Sequence, residues 1–194
     1  CGDVSSGSNE ARGPAAKNDS NGKTDQDRKT PPTQTAAKQT ASRQDYEAVF
    51  VHRAGSDNVA DNSTYIDDPL TNGDPDATLF VTQVRPPGND AVENARLIGV
   101  WYDADRKKWA IFNQDRAPMP EGAAFNVTVA QESAKPDGKV FVHRAGSGNV
   151  VDNSTYIDAP LIDGDPDAVL SVTPNWNPGG EGGTYNDHPV GVWY

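Results

Sequence analysis

Residues 49–82 return as residues 140–173 at a constant offset of 91, with 27 of 34 positions identical. A chain that writes the same stretch twice must fold each copy alike or set one against the other. The copies open on Val49-Phe50-Val51-His52-Arg53-Ala54-Gly55-Ser56 and Val140-Phe141-Val142-His143-Arg144-Ala145-Gly146-Ser147. One inserted residue later, Gly99-Val100-Trp101-Tyr102 returns as Gly191-Val192-Trp193-Tyr194, and there the sequence stops. Counterparts of residues 103–129 do not follow. The expectation is one complete module and a second that is truncated, with an open sheet edge and unpaired apolar faces, in a chain that continues in its full form. Alternatively the first copy lends its sheet to the second, which would show as close packing between them.

The periodicity within each copy is that of strands. Phe125, Val127 and Val129 alternate with Asn126 and Thr128, the period-2 pattern of a strand with one buried face. Strands are expected at Ala48–Arg53, Thr64–Ile66, Thr78–Val84, Arg96–Asp103, Lys108–Asn113 and Ala124–Val129. The polar stretch between Tyr102 and Trp109 has hairpin length, and Met119-Pro120-Glu121-Gly122 reads as a turn. With 18 Gly and 15 Pro and no helical periodicity, the fold class is all-β, a tandem of small β-sandwich or barrel-like domains. The domains run 46–130 and 139–194, joined by a polar link at 131–138 and preceded by a tether at 1–45.

The seven differences between the copies act as a small set of substitutions. Phe80 becomes Ser171 while Leu79/Leu170 and Val81/Val172 persist, so Leu79 and Val81 should face inward and Phe80 outward. Asp68/Ala159, Thr71/Ile162 and Asp57/Gly148 also vary and are expected at the surface.

The N-terminal 45 residues have no aromatic or large aliphatic side chain after Val4, so they cannot bury enough apolar area to offset the entropy of ordering. They are expected to be disordered. They carry seven Lys/Arg and six Asp/Glu, which leaves −12 of the net −11 charge on the rest. An acidic folded part argues against nucleic acid as a partner. No run of 18 apolar residues is present to span a bilayer. The single cysteine is residue 1, so no disulfide can form within the chain.

Cys1-Gly2-Asp3 followed by Ser, Gly and Asn resembles the mature start of a bacterial lipoprotein. That resemblance implies a lipid on Cys1, a membrane as partner and an extracytoplasmic place in the cell envelope. The tether would carry the folded part off the membrane surface. The pattern Phe-Val-His-Arg-Ala, Asn-Ser-Thr-Tyr-Ile-Asp, Pro-Leu, Gly-Asp-Pro-Asp-Ala, Asn-Trp-Asn-Pro-Gly-Gly, His-Pro-Val-Gly-Val-Trp-Tyr resembles an uncharacterised domain of secreted and surface bacterial proteins, often found in tandem. It covers 49–129 and 140–194, and runs on through Trp109–Asp115 and Gly122–Val127. The first copy departs from it at residues 83–95, where the Asn-Trp-Asn-Pro-Gly-Gly loop is absent.

Three groups of residues are candidates for chemistry. Asp163, Asp165 and Asp167 stand two apart, matched by Asn72, Asp74 and Asp76. Alternate oxygen ligands suit calcium, with Asp67 and Asp158 able to join, although the glycine and late glutamate of an EF-hand are missing. The other reading is a turn in which Asp bonds its own backbone. His52 and His143 occupy equivalent strand ends, one per module, which is too few for zinc and suits a structural hydrogen bond. Trp176, Tyr185 and His188 lie in a loop rich in Gly, Pro and Asn, where aromatics stack on sugars, anchor a protein, or cap the core. Trp101, Trp109 and Trp193 fall on expected strands and are assigned to the core.

There is no nucleophile elbow, phosphate loop or metalloprotease motif, and the reading is not an enzyme. The expected function is a cell-envelope lipoprotein whose tandem modules bind or space an envelope glycan or protein. A carbohydrate-binding module using the loop aromatics is the alternative, and a hydrolase using clustered carboxylates the third.

Overall fold

The computed structural model describes residues 46–85, 92–130 and 139–194; the tether at 1–45, with Cys1, and the link at 131–138 lie outside the described residues. Seven strands build the first copy: β1 Tyr46–Arg53, β2 Val59–Ala60, β3 Ser63–Tyr65, β4 Thr78–Val84, β5 Ile98–Asp103, β6 Lys108–Asn113 and β7 Ala124–Ala130. The chain is all-β, as its patterning predicts, and no α-helix occurs among the described residues. Five strands lie within two residues of their expected bounds and β3 is shifted by one. β2 is additional: two residues are too short to show a period.

Two antiparallel sheets face one another. One has the order β1-β7-β4, the other β2-β3-β6-β5. In β7 the alternation resolves as expected, with Phe125, Val127 and Val129 buried and Asn126 exposed. Phe125 and Val127 meet Leu79 and Val81 of β4, Val100 and Tyr102 of β5, and Trp109 and Ile111 of β6 in one core. Each such aliphatic or aromatic side chain stabilises the fold by about 1.5–3 kcal/mol. Phe80 stands half-buried on the far side of β4, as its replacement by Ser171 requires.

Local chemistry closes the loops. At the β5–β6 hairpin the Asp103 carboxylate accepts the backbone N–H groups of Asp105 and Arg106 at 3.0 and 2.9 Å. At the Pro120–Gly122 turn Gly122 has φ +92, a conformation that glycine adopts without strain, and a Cβ there would meet Val92 at 2.8 Å. Thr71 corrects one expectation. It is fully buried, and its hydroxyl donates to the Asp68 carbonyl at 3.2 Å. Variation between copies therefore does not mark it as surface: Ile162 keeps the branched shape and drops the hydroxyl.

The second copy keeps the local structure of the first without its sandwich. In copy one Asn58 Oδ1 accepts from the Gly55 N–H and the Thr64 hydroxyl, and its Nδ2 donates to the Arg53 carbonyl. Asn149 makes the same three bonds with Gly146, Thr155 and Arg144. A two-stranded hairpin follows, β8 Val150–Val151 with β9 Ser154–Thr155. Residues 140–145, 168–173 and 190–194, which match β1, β4 and β5, form no strand. The reason is lack of partners: the first copy's β1 and β4 both pair with β7, and its β5 with β6. Val169 is consequently 95% exposed, and Trp193, expected in the core, is 67% exposed.

Candidate functional site

The element that joins the copies is the loop that copy one lacks. Residues 174–177 run along β5, the outer strand of its sheet, with a parallel bridge between Val100 and Asn175. The Val100 N–H donates to the Pro174 carbonyl and the Trp176 N–H to the Val100 carbonyl, both at 2.9 Å. The buried Asn177 side chain completes the strip: its Oδ1 accepts the Tyr102 N–H and its Nδ2 donates to the Tyr102 carbonyl, both at 2.8 Å. The Val81 N–H of the edge strand β4 donates to the Thr173 hydroxyl at 3.1 Å. Gly99 makes room for this approach, since a Cβ there would meet the Phe112 ring at 2.8 Å and the Pro174 carbonyl at 3.1 Å.

An aromatic group forms on the outer face of β5 and β6. Alternation sends Trp109 and Ile111 into the sandwich and Phe112 the other way, together with Trp101. Trp101 meets Trp176 edge-on at 6.0 Å and Tyr65 at 6.1 Å, and Tyr185 meets Phe112 at 5.8 Å and Trp176 at 5.7 Å. The Arg116 guanidinium lies over the Tyr185 ring at 4.1 Å. Between these rings is a cavity of about 130 Å³ lined by Asn62, Ser63, Trp101, Phe112, Trp176 and Tyr185. On the other side of the same two tryptophans a shallower cleft of about 300 Å³ is floored by Tyr102 and Asn177 and rimmed by Asp103, Asp105 and Glu181. The Trp176 indole N–H is buried and has no acceptor within the protein.

The electrostatics around this seam are largely structural. Burial opposes ionisation of Asp103, but the Arg106 backbone and guanidinium and the Tyr65 hydroxyl outweigh it and hold the carboxyl below its usual range. Arg106 reaches Asp103 at 2.7 Å and stacks over Tyr65 at 4.6 Å. Burial raises the Tyr65 phenol. His52 Nε2 bonds the Thr64 hydroxyl at 2.8 Å, and burial lowers its imidazole pKa against the pull of Asp57. His143 makes the same bond to Thr155 in an exposed setting.

Of the residues singled out in the sequence, Trp176 and Tyr185 come together here. His188 does not: it is exposed and pairs with Asp187 at 3.5 Å. The acidic turns are self-bonded. Asp74 and Asp165 each accept the N–H two residues on, from Asp76 and Asp167, at 3.0 Å. Asn72 donates to Asp67, which also meets Lys108 at 3.0 Å, and Asp163 accepts the Ala159 N–H at 3.2 Å. Among the described residues no three His, Cys, Asp or Glu gather as a metal site. Asn62, Ser63 and Phe112 were missed. The signal for them was the unbroken run Trp109-Ala110-Ile111-Phe112, since a strand apolar on both faces is covered on both.

A domain family of unknown function (DUF7452) matches residues 24–129 and again 99–194. The chain belongs to that family. The two DUF7452 matches overlap at residues 99–129, the stretch that holds most of β5, β6 and β7. The chain matches no curated protein and no solved structure.

Proposed function

We propose that this DUF7452 chain is a non-catalytic binding protein of the cell envelope, tethered through a lipid on Cys1, and that its aromatic seam receives a neutral or amino-bearing carbohydrate. The observation that carries the reading is the cavity walled by the rings of Trp101, Phe112, Trp176 and Tyr185, with Asn62 and Ser63 beside them. A sugar ring packs on those aromatic faces. Asn62 and Ser63 offer polar contacts, and the cleft across Trp176 gives room for a second ring. Asp105 and Glu181 on that rim disfavour phosphorylated or uronic sugars. The non-catalytic reading is supported by Asp103, held ionised by its structural partners Arg106 and Tyr65, and by His52, whose pKa is lowered by burial.

Calorimetry against neutral, amino and uronic oligosaccharides tests the ligand. Neutral or amino sugars should bind, and Trp176→Ala should weaken them about tenfold, since a stacked ring contributes about 1 kcal/mol beyond its buried area. If the aromatics only seal the seam, Trp176→Ala lowers the melting temperature and no sugar of any class binds. Mass spectrometry of membrane-extracted protein tests the anchor: an unmodified Cys1 disposes of it without touching the ligand.

A further inference from the structure

Beyond its two-stranded hairpin, copy two holds strand segments with no sheet, while copy one's β6 and β7 are the strands those segments are written to fit. We infer that residues 140–173 can take the place of residues 49–82 against β6 and β7, so that residues 99–130 are a shared half completed by either copy. Five observations support this. The residues copy one sets against β6 and β7 recur almost unchanged, with Phe50, His52, Thr64, Ile66, Leu79 and Val81 returning as Phe141, His143, Thr155, Ile157, Leu170 and Val172. The turn that precedes β3 is already formed in copy two around Asn149, bond for bond.

The chain geometry allows the exchange. Tyr46, at the start of β1, lies opposite Ala130, at the end of β7. A segment that follows β7 through the link at 131–138 therefore arrives where β1 begins, and β7 with residues 140–144 makes an antiparallel hairpin. At the other end, residues 174–177 already lie along β5, while Thr173, the last residue of the repeated stretch, touches Val81 of β4 itself. The loop that belongs behind copy two's β4 segment is thus in place before the segment is.

The differences between copies favour the newcomer at one buried position. The Thr78 hydroxyl is buried without a partner, and its counterpart Val169 fills the same volume with no polar atom to satisfy. Phe80→Ser171, on the same face of β4 as Thr78, works the other way.

The test uses the full chain carrying Leu79→Asp, Leu170→Asp or both, followed by near-ultraviolet circular dichroism on heating. Leu79 is in the core, so a charge there removes copy one from the sandwich. Each single variant should keep a cooperative transition, and only the double variant should lose it. A second measurement fixes the position directly. Val51 and Asn126 are cross-strand partners on the outer face, so Asn126→Cys with Val142→Cys, in a Cys1→Ser background, should oxidise to a cross-link within the monomer. Asn126→Cys with Val51→Cys is the reference. Loss of the transition in Leu79→Asp alone, no 126–142 cross-link where 126–51 forms, or a cross-link found only between molecules each overturns the inference.

Discussion

His52 couples the fold to pH. Its imidazole is buried against Thr64, and burial lowers its pKa in the folded state. The unfolded chain, whose histidine titrates near about 6.5, then binds the proton more tightly than the folded one. Stability is therefore whole above that value and declines as pH falls through it toward the lowered folded pKa. Asp103 adds a second loss further to acid, since its depressed carboxyl stabilises the fold only while ionised. The melting temperature should fall between pH 7 and 5.5, and His52→Gln should flatten that part of the curve while lowering the plateau. An unchanged slope in the variant would remove His52 from the account.

Among elements, the strip 174–177 decides how the copies hold together. Without it β5 is a bare edge whose N–H and C=O groups face water or a neighbour. The Asn177 amide bonds both backbone groups of Tyr102 while almost wholly buried, so Asn177→Ala leaves two polar groups unpaired. The expected cost is about 1–3 kcal/mol for each group that water does not reach, measured by urea unfolding. A change under about 0.5 kcal/mol would mean the strip adds nothing to stability. β4 and β6 were legible to the residue because branched and aromatic side chains at period 2 ended at turn residues. The docking of Pro174–Asn177 was not legible: sequence shows that copy one lacks this loop, but not that copy two lends it. Trp176 and Tyr185 were legible as aromatics in a Gly-rich loop. Their cavity was not, because Ser63 and Phe112 reach it from β3 and β6 and Asn62 from the turn before β3. Trp193 misled for the same reason. A strand pattern is buried only where partner strands exist, and pattern alone does not count partners.

At the scale of the molecule, these 194 residues hold one sandwich and the segments of half another, and the mismatch has a solution consequence. Residues 190–194 present Val190, Val192, Trp193 and Tyr194 to solvent, each at least half exposed, in the sequence that forms β5 in copy one. They lie outside the shared half and outside residues 140–173, so exchange between the copies does not cover them. A segment of high β-propensity with free backbone groups pairs with its like on another molecule. The acidic net charge of −11 opposes that association at low salt, and screening over about 8 Å at physiological ionic strength weakens the opposition. The chain should therefore self-associate increasingly with salt and concentration. Val192→Lys with Trp193→Lys should suppress this in light scattering while leaving the melting temperature of the sandwich unchanged, because neither side chain belongs to its core. Equal association in the double variant would move the sticky surface to the other exposed segments, Val169 and Val172 first among them.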